Sequence, residues 1–193
     1  MAYPRRGFVA AQTLGDECIL RQFEVEANAT IAYFIGDATA LNASGKLITV
    51  TACVNANYAG VIQGLFAKIN DVDPPRPLTF NQPTGGPYLT TGQSGFALVN
   101  VNPNQVYVAQ LDVTASTGLI GQTVHVSSGT PNTRAGISGQ NLRGTSLSTS
   151  ADNAFKIVGL APNELNSGRG DKPAGSGVLV KFTSTIWSQA AGI

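Results

Sequence analysis

Residues 177–187, with the sequence GVLVKFTSTIW, carry the clearest indication of fold in the chain. Valine, phenylalanine, threonine and isoleucine dominate this stretch, and these residue types favour β-strands. Val178, Val180 and Phe182 occupy alternate positions. Successive side chains of a strand point to opposite faces, so these three share one face. The pattern predicts a β-strand near the end of the chain, with that face packed on a core.

Similar apolar and β-branched stretches recur toward the N-terminus, over residues 18–26, 31–35, 46–54, 60–69, 95–101, 105–113, 122–127 and 155–160. The 22 glycines and 10 prolines are spread between and around them, and no window has the spacing of an amphipathic helix. Within 60–69, Gly64 marks a predicted bulge or close approach. We therefore predict an all-β fold, a β-sandwich, jelly roll or barrel of about nine to ten short strands with long polar loops. No repeat of 20–50 residues is evident.

The chain divides into an extended N-terminal arm over residues 1–14 and a single β domain over residues 15–193. Residues 71–87 contain five of the ten prolines, a density that no regular element tolerates. This segment is predicted to be one long loop or the boundary between two subregions. Residues 129–144 and 163–177 are rich in glycine and polar residues, and they are predicted to be loops.

Charged residues make up only 12 % of the chain, and the net charge is +1. Soluble domains average about 25 %. Asp112 is the only formally charged side chain between Arg76 and Arg134. A polar surface with few charges costs little to desolvate against a protein partner, whereas nucleic acid would require a basic face. No run approaches the ~20 apolar residues of a membrane-spanning helix, and residues 1–12 do not resemble a signal peptide. We expect neither a nucleic-acid partner nor a membrane partner, and no secretory export.

Reactive side chains are few. His125 is the only histidine, so a catalytic triad would have to use it, and no serine or cysteine stands in a supporting motif. Cys18 and Cys53 are separated and predict buried reduced thiols, with a single disulfide as the alternative. These residues predict no catalytic activity, no metal site and no cofactor. Arg169-Gly170-Asp171 matches the integrin-binding tripeptide, which also arises often by chance.

Four segments carry a resemblance to a known family: Val106–Ala109, Thr117–Val124, Ser148–Leu160 and Gly177–Phe182. The FKIVGL and VLVKF motifs within the last two resemble those of the capsid decoration (cement) proteins of tailed bacteriophages. The resemblance implies a non-enzymatic virion protein, made in the host cytoplasm and bound to the capsid exterior. It would span joints between subunits of the major capsid protein, its expected partner, as a homodimer or homotrimer without a cofactor.

The N-terminal arm is the expected contact with the shell. Tyr3, Arg5, Arg6 and Phe8 are the candidate contact residues, and the two arginines would meet acidic side chains of the shell. The alternative is a disordered terminus. Two other functions stay open. One is a structural component of the phage tail, fibre or neck. The other is a carbohydrate-binding β-sandwich module that would use Tyr58, Tyr88 and Trp187, because aromatic platforms bind sugars.

Overall fold

The computed structural model of the chain describes residues 7–13, 18–25, 31–50, 57–68, 76–77, 87–149, 153–161 and 177–187. These residues form twelve β-strands and one 3-10 helix. The strands are β1 (Val9–Thr13), β2 (Leu20–Val25), β3 (Ala38–Leu41), β4 (Leu47–Thr49), β5 (Tyr58–Ala67), β6 (Arg76–Pro77), β7 (Gly95–Asn100), β8 (Gln105–Gln110), β9 (Thr123–Ser127), β10 (Asn141–Ser148), β11 (Phe155–Leu160) and β12 (Gly177–Phe182). The 3-10 helix (Thr117–Leu119) is the only helix in these ranges, and none there could span a membrane.

The predicted all-β fold is confirmed, and of the predicted architectures the barrel describes it best. The segments predicted over 18–26, 60–69 and 155–160 contain β2, β5 and β11. Four strands were not predicted, and two of them, β1 and β6, lie in the arm and in the proline-rich segment 71–87. The strand predicted over 31–35 is not formed, because that stretch makes only single bridges at Tyr33 and Ile35. The other two unpredicted strands are β3 and β10. β3 has the sequence ATAL, and β10 begins at Asn141, inside the segment 129–144 predicted to be a loop. Both are poor in β-branched apolar residues, and pairing with the strands on either side holds them in the sheet.

The first sheet closes into a ring that we call barrel 1. Its strands follow the order β2, β4, β3, β5, β7, and β7 pairs back to β2. Neighbouring strands are antiparallel except β2 and β4, which are parallel and meet at Val25 and Leu47. The two-residue strand β6 pairs with β5 outside the ring. Closure leaves few unpaired edges, which protects small β proteins from uncontrolled association.

The second sheet, which we call barrel 2, is a ladder in the order β8, β12, β11, β9, β10. A parallel bridge between Leu111, just after β8, and Leu142 of β10 connects the two ends of this ladder. The Asp112 backbone N–H donates to the Leu142 carbonyl at 3.1 Å and extends this contact. Strand β1 adds to β8 beyond this ladder.

Barrel 2 repeats barrel 1 strand by strand. In chain order, β2, β3, β4, β5 and β7 correspond to β8, β9, β10, β11 and β12. In both barrels the first and third strands form the parallel pair, and every other pair is antiparallel. The parallel contact between Val25 and Leu47 corresponds to that between Leu111 and Leu142. The two halves of the chain therefore have one topology.

The register of the ladders also repeats. In each barrel the fourth strand contains a bulge where it pairs with the fifth, within Ile62-Gln63-Gly64 and within Ile157-Val158-Gly159. The bulge predicted at Gly64 is thereby confirmed. Leu98 pairs with Gly64 as Leu179 pairs with Gly159. Equivalent positions of the fifth strands, Leu98 and Leu179, lie 81 residues apart, and those of the fourth strands, Ile62 and Ile157, lie 95 apart. Both separations exceed the repeat length of 20–50 residues considered in the sequence analysis.

The two barrels share part of their core. The barrel 1 interior contains Val25, Leu47, Ile62 and Val99, and the barrel 2 interior contains Val124, Leu142, Ile157 and Val180, all almost fully buried. Ala38 and Ala40 of β3 and Val61 of β5 face the other way and join the barrel 2 cluster. Small side chains on β3 let the barrels approach closely.

Gln140 stabilises the contact between the two barrels through two hydrogen bonds. Its Oε1 accepts a hydrogen bond from the Ala38 N–H at 2.7 Å, and its Nε2 donates to the Val50 carbonyl at 2.9 Å. All three residues are buried. A residue beside barrel 2 thereby satisfies two backbone groups of barrel 1, which would be costly to leave unpaired in the interior.

The chain passes between the barrels through a turn at Asn102-Pro103-Asn104, a sequence that predicts a tight turn between the strands at 95–101 and 105–113. The Gln105 N–H donates to the Asn102 carbonyl at 3.2 Å, and the Asn102 side-chain Oδ1 accepts from the Asn104 N–H at 2.8 Å. The proline-rich segment 71–87 lies elsewhere, between β5 and β7 of barrel 1. Apart from Arg76–Pro77 and Pro87, it is outside the described residues.

Gly60 allows β5 and β7 to approach closely. Its φ is +149°, and a Cβ atom built on it would collide with the Asn100 carbonyl oxygen. Asn100 is itself fully buried at the end of β7. Only glycine fits this position without displacing the backbone of the neighbouring strand.

Candidate interaction surface

Four apolar side chains form a row across the outer face of barrel 2, and we call them the apolar row. They are Val9 on β1, Val108 on β8, Leu179 on β12 and Val158 on β11. Val108 pairs with both Val9 and Leu179, so these three project from the same side of the sheet. Val158 is the extra bulge residue next to Gly159, the partner of Leu179. Val9 is 46 % exposed and Val158 is 37 % exposed.

Strand β12 shows why this row lies at the surface. Val178, Val180 and Phe182 are buried inside the barrel, which confirms that they share one face. Leu179 and Lys181 therefore face outward, and both are partly exposed. A strand with one solvated face normally places polar residues there. Leu179 breaks that alternation, so β12 is apolar on both faces at this point.

The equivalent row of barrel 1 is more polar. Gln22 takes the place of Val108, Leu98 that of Leu179, and Gln63 that of Val158. The same topology therefore folds with two glutamines at these positions. The fold therefore does not require outward-facing apolar residues there, and the apolar row of barrel 2 is a candidate contact surface.

Two lysines border the apolar row. Lys156 of β11 and Lys181 of β12 are directly paired across the strands, and both side chains reach the outer face. Like charges placed opposite each other destabilise a sheet. The two ammonium groups therefore give this border of the apolar row a positive charge.

The structure places Phe8, one of the four predicted contact residues, inside the protein. Phe8 is 2 % exposed, and its ring stacks on Phe155 with 4.5 Å between centroids. This stacking anchors the arm to barrel 2 of the same chain, so the Phe8 ring is not available at the surface. Tyr3, Arg5 and Arg6 lie outside the described residues. The described part of the arm, residues 7–13, is extended and lies along β8.

Sequence reasoning missed the apolar row because its residues come from four separate strands. One signal was available in a single strand: Leu179 is an apolar residue between Val178 and Val180, whose face was already assigned to the core. The neighbours of Leu179 across the sheet follow only from the strand order.

A second feature is a cleft of about 560 Å³ between the segment before β3 and the β9–β10 loop. Phe34 and Tyr88 line it and stack on each other with 4.7 Å between centroids. Asp37 and Gln140 also line it, and both are buried. Gln140 is committed to its two backbone partners. Asp37 is the only carboxylic acid among the described residues that line the cleft.

Burial raises the pKa of Asp37 from 3.8 to about 7, although hydrogen bonds from the Ser138 side chain and the Phe34 backbone oppose the change. The Phe34 N–H donates to Asp37 Oδ2 at 2.9 Å. A buried carboxyl group takes the neutral form because water no longer solvates its charge. Asp37 therefore changes its protonation state near neutral pH.

The remaining motifs lie apart from both features. Cys18 is a free, exposed thiol just before β2, so the prediction of a buried thiol is wrong there; Cys53 is outside the described residues. His125 lies on β9, where its backbone N–H donates to Ser146 Oγ at 2.9 Å. No group of three His, Cys, Asp or Glu side chains suited to a metal ion occurs in the described part of the chain. The tripeptide at 169–171 is outside that part.

No protein-family model matches this chain, and no curated protein matches it either.

Proposed function

We propose that the protein is a virion structural protein, a capsid decoration (cement) protein that binds the outside of the shell and stabilises joints between major capsid protein subunits. The observation that supports this function best is the apolar row with its lysine border. Val158 and Lys156 belong to the FKIVGL motif, and Leu179 and Lys181 belong to the VLVKF motif. The two motifs that resemble decoration proteins therefore supply two of the four residues of the apolar row and both bordering lysines.

The size of the apolar row suits a weak contact repeated many times. Fully burying one valine or leucine side chain contributes about 1.5–3 kcal/mol, and these four side chains are already partly buried. The gain per copy is modest once the entropy of association is subtracted. A shell offers many identical sites, so the summed contribution of all copies can resist internal pressure. The proposed role involves no catalysis and no cofactor.

Mass spectrometry of purified virions tests this function. A decoration protein is expected at a copy number comparable with that of the major capsid protein. A few copies per particle would contradict it and would favour the alternative of a tail, fibre or neck component. Absence of the chain from particles would refute both.

A pair of matched substitutions tests the surface. Leu179→Gln removes an apolar side chain from the apolar row, and Leu98→Gln makes the same change at the equivalent position of barrel 1. Both side chains are partly exposed, so similar effects on folding are expected. Occupancy of undecorated shells should fall for Leu179→Gln and stay unchanged for Leu98→Gln. Equal occupancy by the two variants would exclude the apolar row as the shell contact.

The cleft favours a second candidate function, the binding of a saccharide. Of the three aromatic residues predicted for that role, Tyr58 is buried and the Trp187 indole N–H donates to the Ala59 carbonyl at 2.9 Å. Only Tyr88 lines the cleft, where it is stacked on Phe34. Sugars pack on aromatic rings, so a glycan array with the wild type and Tyr88→Ala tests the site. Glycan binding by the wild type that is lost in Tyr88→Ala would support a saccharide site in the cleft. The absence of binding to any glycan on the array would exclude such a site for those glycans.

A further inference from the structure

Among the described residues, strand β2 has an open edge over residues 18–22. β7 pairs with β2 on one side, whereas β4 reaches the other side only at Val25. The Ile19 carbonyl accepts from the Val101 N–H at 2.8 Å, so Ile19 belongs to a hydrogen-bonded pair. Antiparallel ladders alternate, so the backbone groups of Leu20 point away from β7. Ile19 is 45 % exposed and Leu20 is 47 % exposed.

Barrel 2 shows how this fold covers the same edge. The equivalent stretch of β8, Gln105–Val108, pairs with β1 from Val9 to Thr13. The correspondence follows from the ladders, because Gln22 pairs with Leu98 as Val108 pairs with Leu179. One barrel therefore has an antiparallel strand on this edge. In the other, no strand of the described ranges covers the edge, and two large apolar side chains there are exposed. An edge of this kind pairs readily with another strand.

We infer that the open edge of β2 binds the same edge of a second copy of the chain, antiparallel and about a two-fold axis. Such an interface is self-complementary, because each strand supplies the donors and acceptors that the other needs. The first sheets of the two copies would join into one continuous sheet. This dimer does not depend on whether the protein binds a capsid.

The length of the open edge and the charge of Arg21 select one register for the two antiparallel β2 strands. In an antiparallel pair, residues whose backbone N–H and C=O groups point toward the partner strand must lie opposite each other. The two-fold axis can therefore pass through Leu20 or through Arg21, but not between them. An axis at Arg21 would place two arginines directly opposite each other, which is unfavourable. An axis at Leu20 pairs Leu20 with its copy and Ile19 with Arg21 of the partner subunit. It uses only the open edge and covers both exposed apolar side chains.

Arg21 is suited to this arrangement. Its guanidinium group lies over the Trp187 ring, 4.5 Å from the centroid. This contact holds the guanidinium group on the face of β2 opposite to the Leu20 side chain. At the far end of the strand, Glu24 forms an ion pair with Lys46 at 3.0 Å. In the Leu20 register, no two like charges of the described residues 18–22 face each other.

Sedimentation equilibrium of the full chain over about 1–100 μM tests the dimer. We expect a concentration-dependent dimer for the wild type. Leu20→Pro removes the outward backbone N–H without removing a bond to β7, and proline is tolerated at strand edges. It should weaken dimerisation at least about tenfold. Leu20→Val keeps the N–H and the apolar surface, so it should still dimerise. Leu20→Lys provides a second disruptive variant if the proline variant misfolds.

Disulfide trapping tests the register. In a Cys18→Ser, Cys53→Ser background, Leu20→Cys would place two cysteines across the axis at about 5.5 Å between Cα atoms, within disulfide reach. Mild oxidation should cross-link this variant much faster than Thr145→Cys, an exposed control on β10. A wild type that is monomeric at every concentration would overturn the inference and leave the edge to a strand of another protein. Dimers unaffected by both Leu20→Pro and Leu20→Lys would also overturn it.

Discussion

Replacing Asp37 with asparagine should remove the effect of pH on one buried site. Asp37 is 4 % exposed, and its Oδ2 accepts from the Phe34 N–H at 2.9 Å. Asparagine keeps an oxygen for that bond, and its amide N–H can donate to Ser138. The substitution therefore preserves the shape and hydrogen bonding of the site. It removes only the ability to carry a charge.

The magnitude follows from the pKa of Asp37, which burial raises from 3.8 to about 7. Between these values the folded protein binds a proton that the unfolded chain has lost, so its stability falls as pH rises. The contribution of the neutral carboxyl group is complete below about pH 4 and is lost as pH rises through about 7. At about 1.36 kcal/mol per pH unit, the total loss is about 4 kcal/mol. About 2–3 kcal/mol of it falls between about pH 5 and pH 8.

Urea unfolding of the wild type and Asp37→Asn at several pH values measures this contribution. Other titrating groups are common to both proteins, so they cancel in the difference between the two free energies of unfolding. That difference should move in favour of Asp37→Asn by about 2–3 kcal/mol from about pH 5 to pH 8. Two stability curves that stay parallel across this range would refute the raised pKa of Asp37.

Three further substitutions test the packing. Phe8→Ala should lower the free energy of unfolding by about 3–5 kcal/mol in chemical denaturation, while the exposed Val9→Ala should change it by less than about 1 kcal/mol; similar losses would contradict the burial of Phe8. Gly60→Ala should lower the melting temperature far more than Gly92→Ala, because both have positive φ but only Gly60 faces a backbone carbonyl. Gln140→Leu should destabilise by about 2–4 kcal/mol, since it leaves two buried backbone groups unpaired; an unchanged unfolding midpoint would show that the barrels do not need this bridge.

The sequence predicted most of the strands because their signals are local. Alternating apolar residues in 177–182 and the glycine within 60–69 identified β12 and the bulge of β5. The Asn102-Pro103-Asn104 turn was equally clear. Each of these depends on a few neighbouring residues, whose preferences are expressed wherever the strand lies in the fold.

Barrel closure could not be predicted in the same way. The parallel contacts at Val25 with Leu47 and at Leu111 with Leu142 join strands that no local pattern connects. The arm was predicted to be free for the same reason: the stacking of Phe8 on Phe155 involves residues far apart in the chain. The repeated topology was also invisible, because the two halves share little beyond the IxGL stretches at Ile62 and Ile157.

A chain that contains one strand order twice must sort its strands during folding. A strand could dock in the wrong barrel, as in the misassembly of repeat proteins. Position 21 of β2 opposes such an exchange: Arg21 pairs with Val99 as Tyr107 pairs with Val180, so the two are equivalent. Tyr107 is fully buried, whereas Arg21 is exposed beside Trp187. Placing β2 in barrel 2 would bury an unpaired guanidinium group, at a cost of several kcal/mol. Arg21 therefore makes the exchange of β2 for β8 energetically unfavourable.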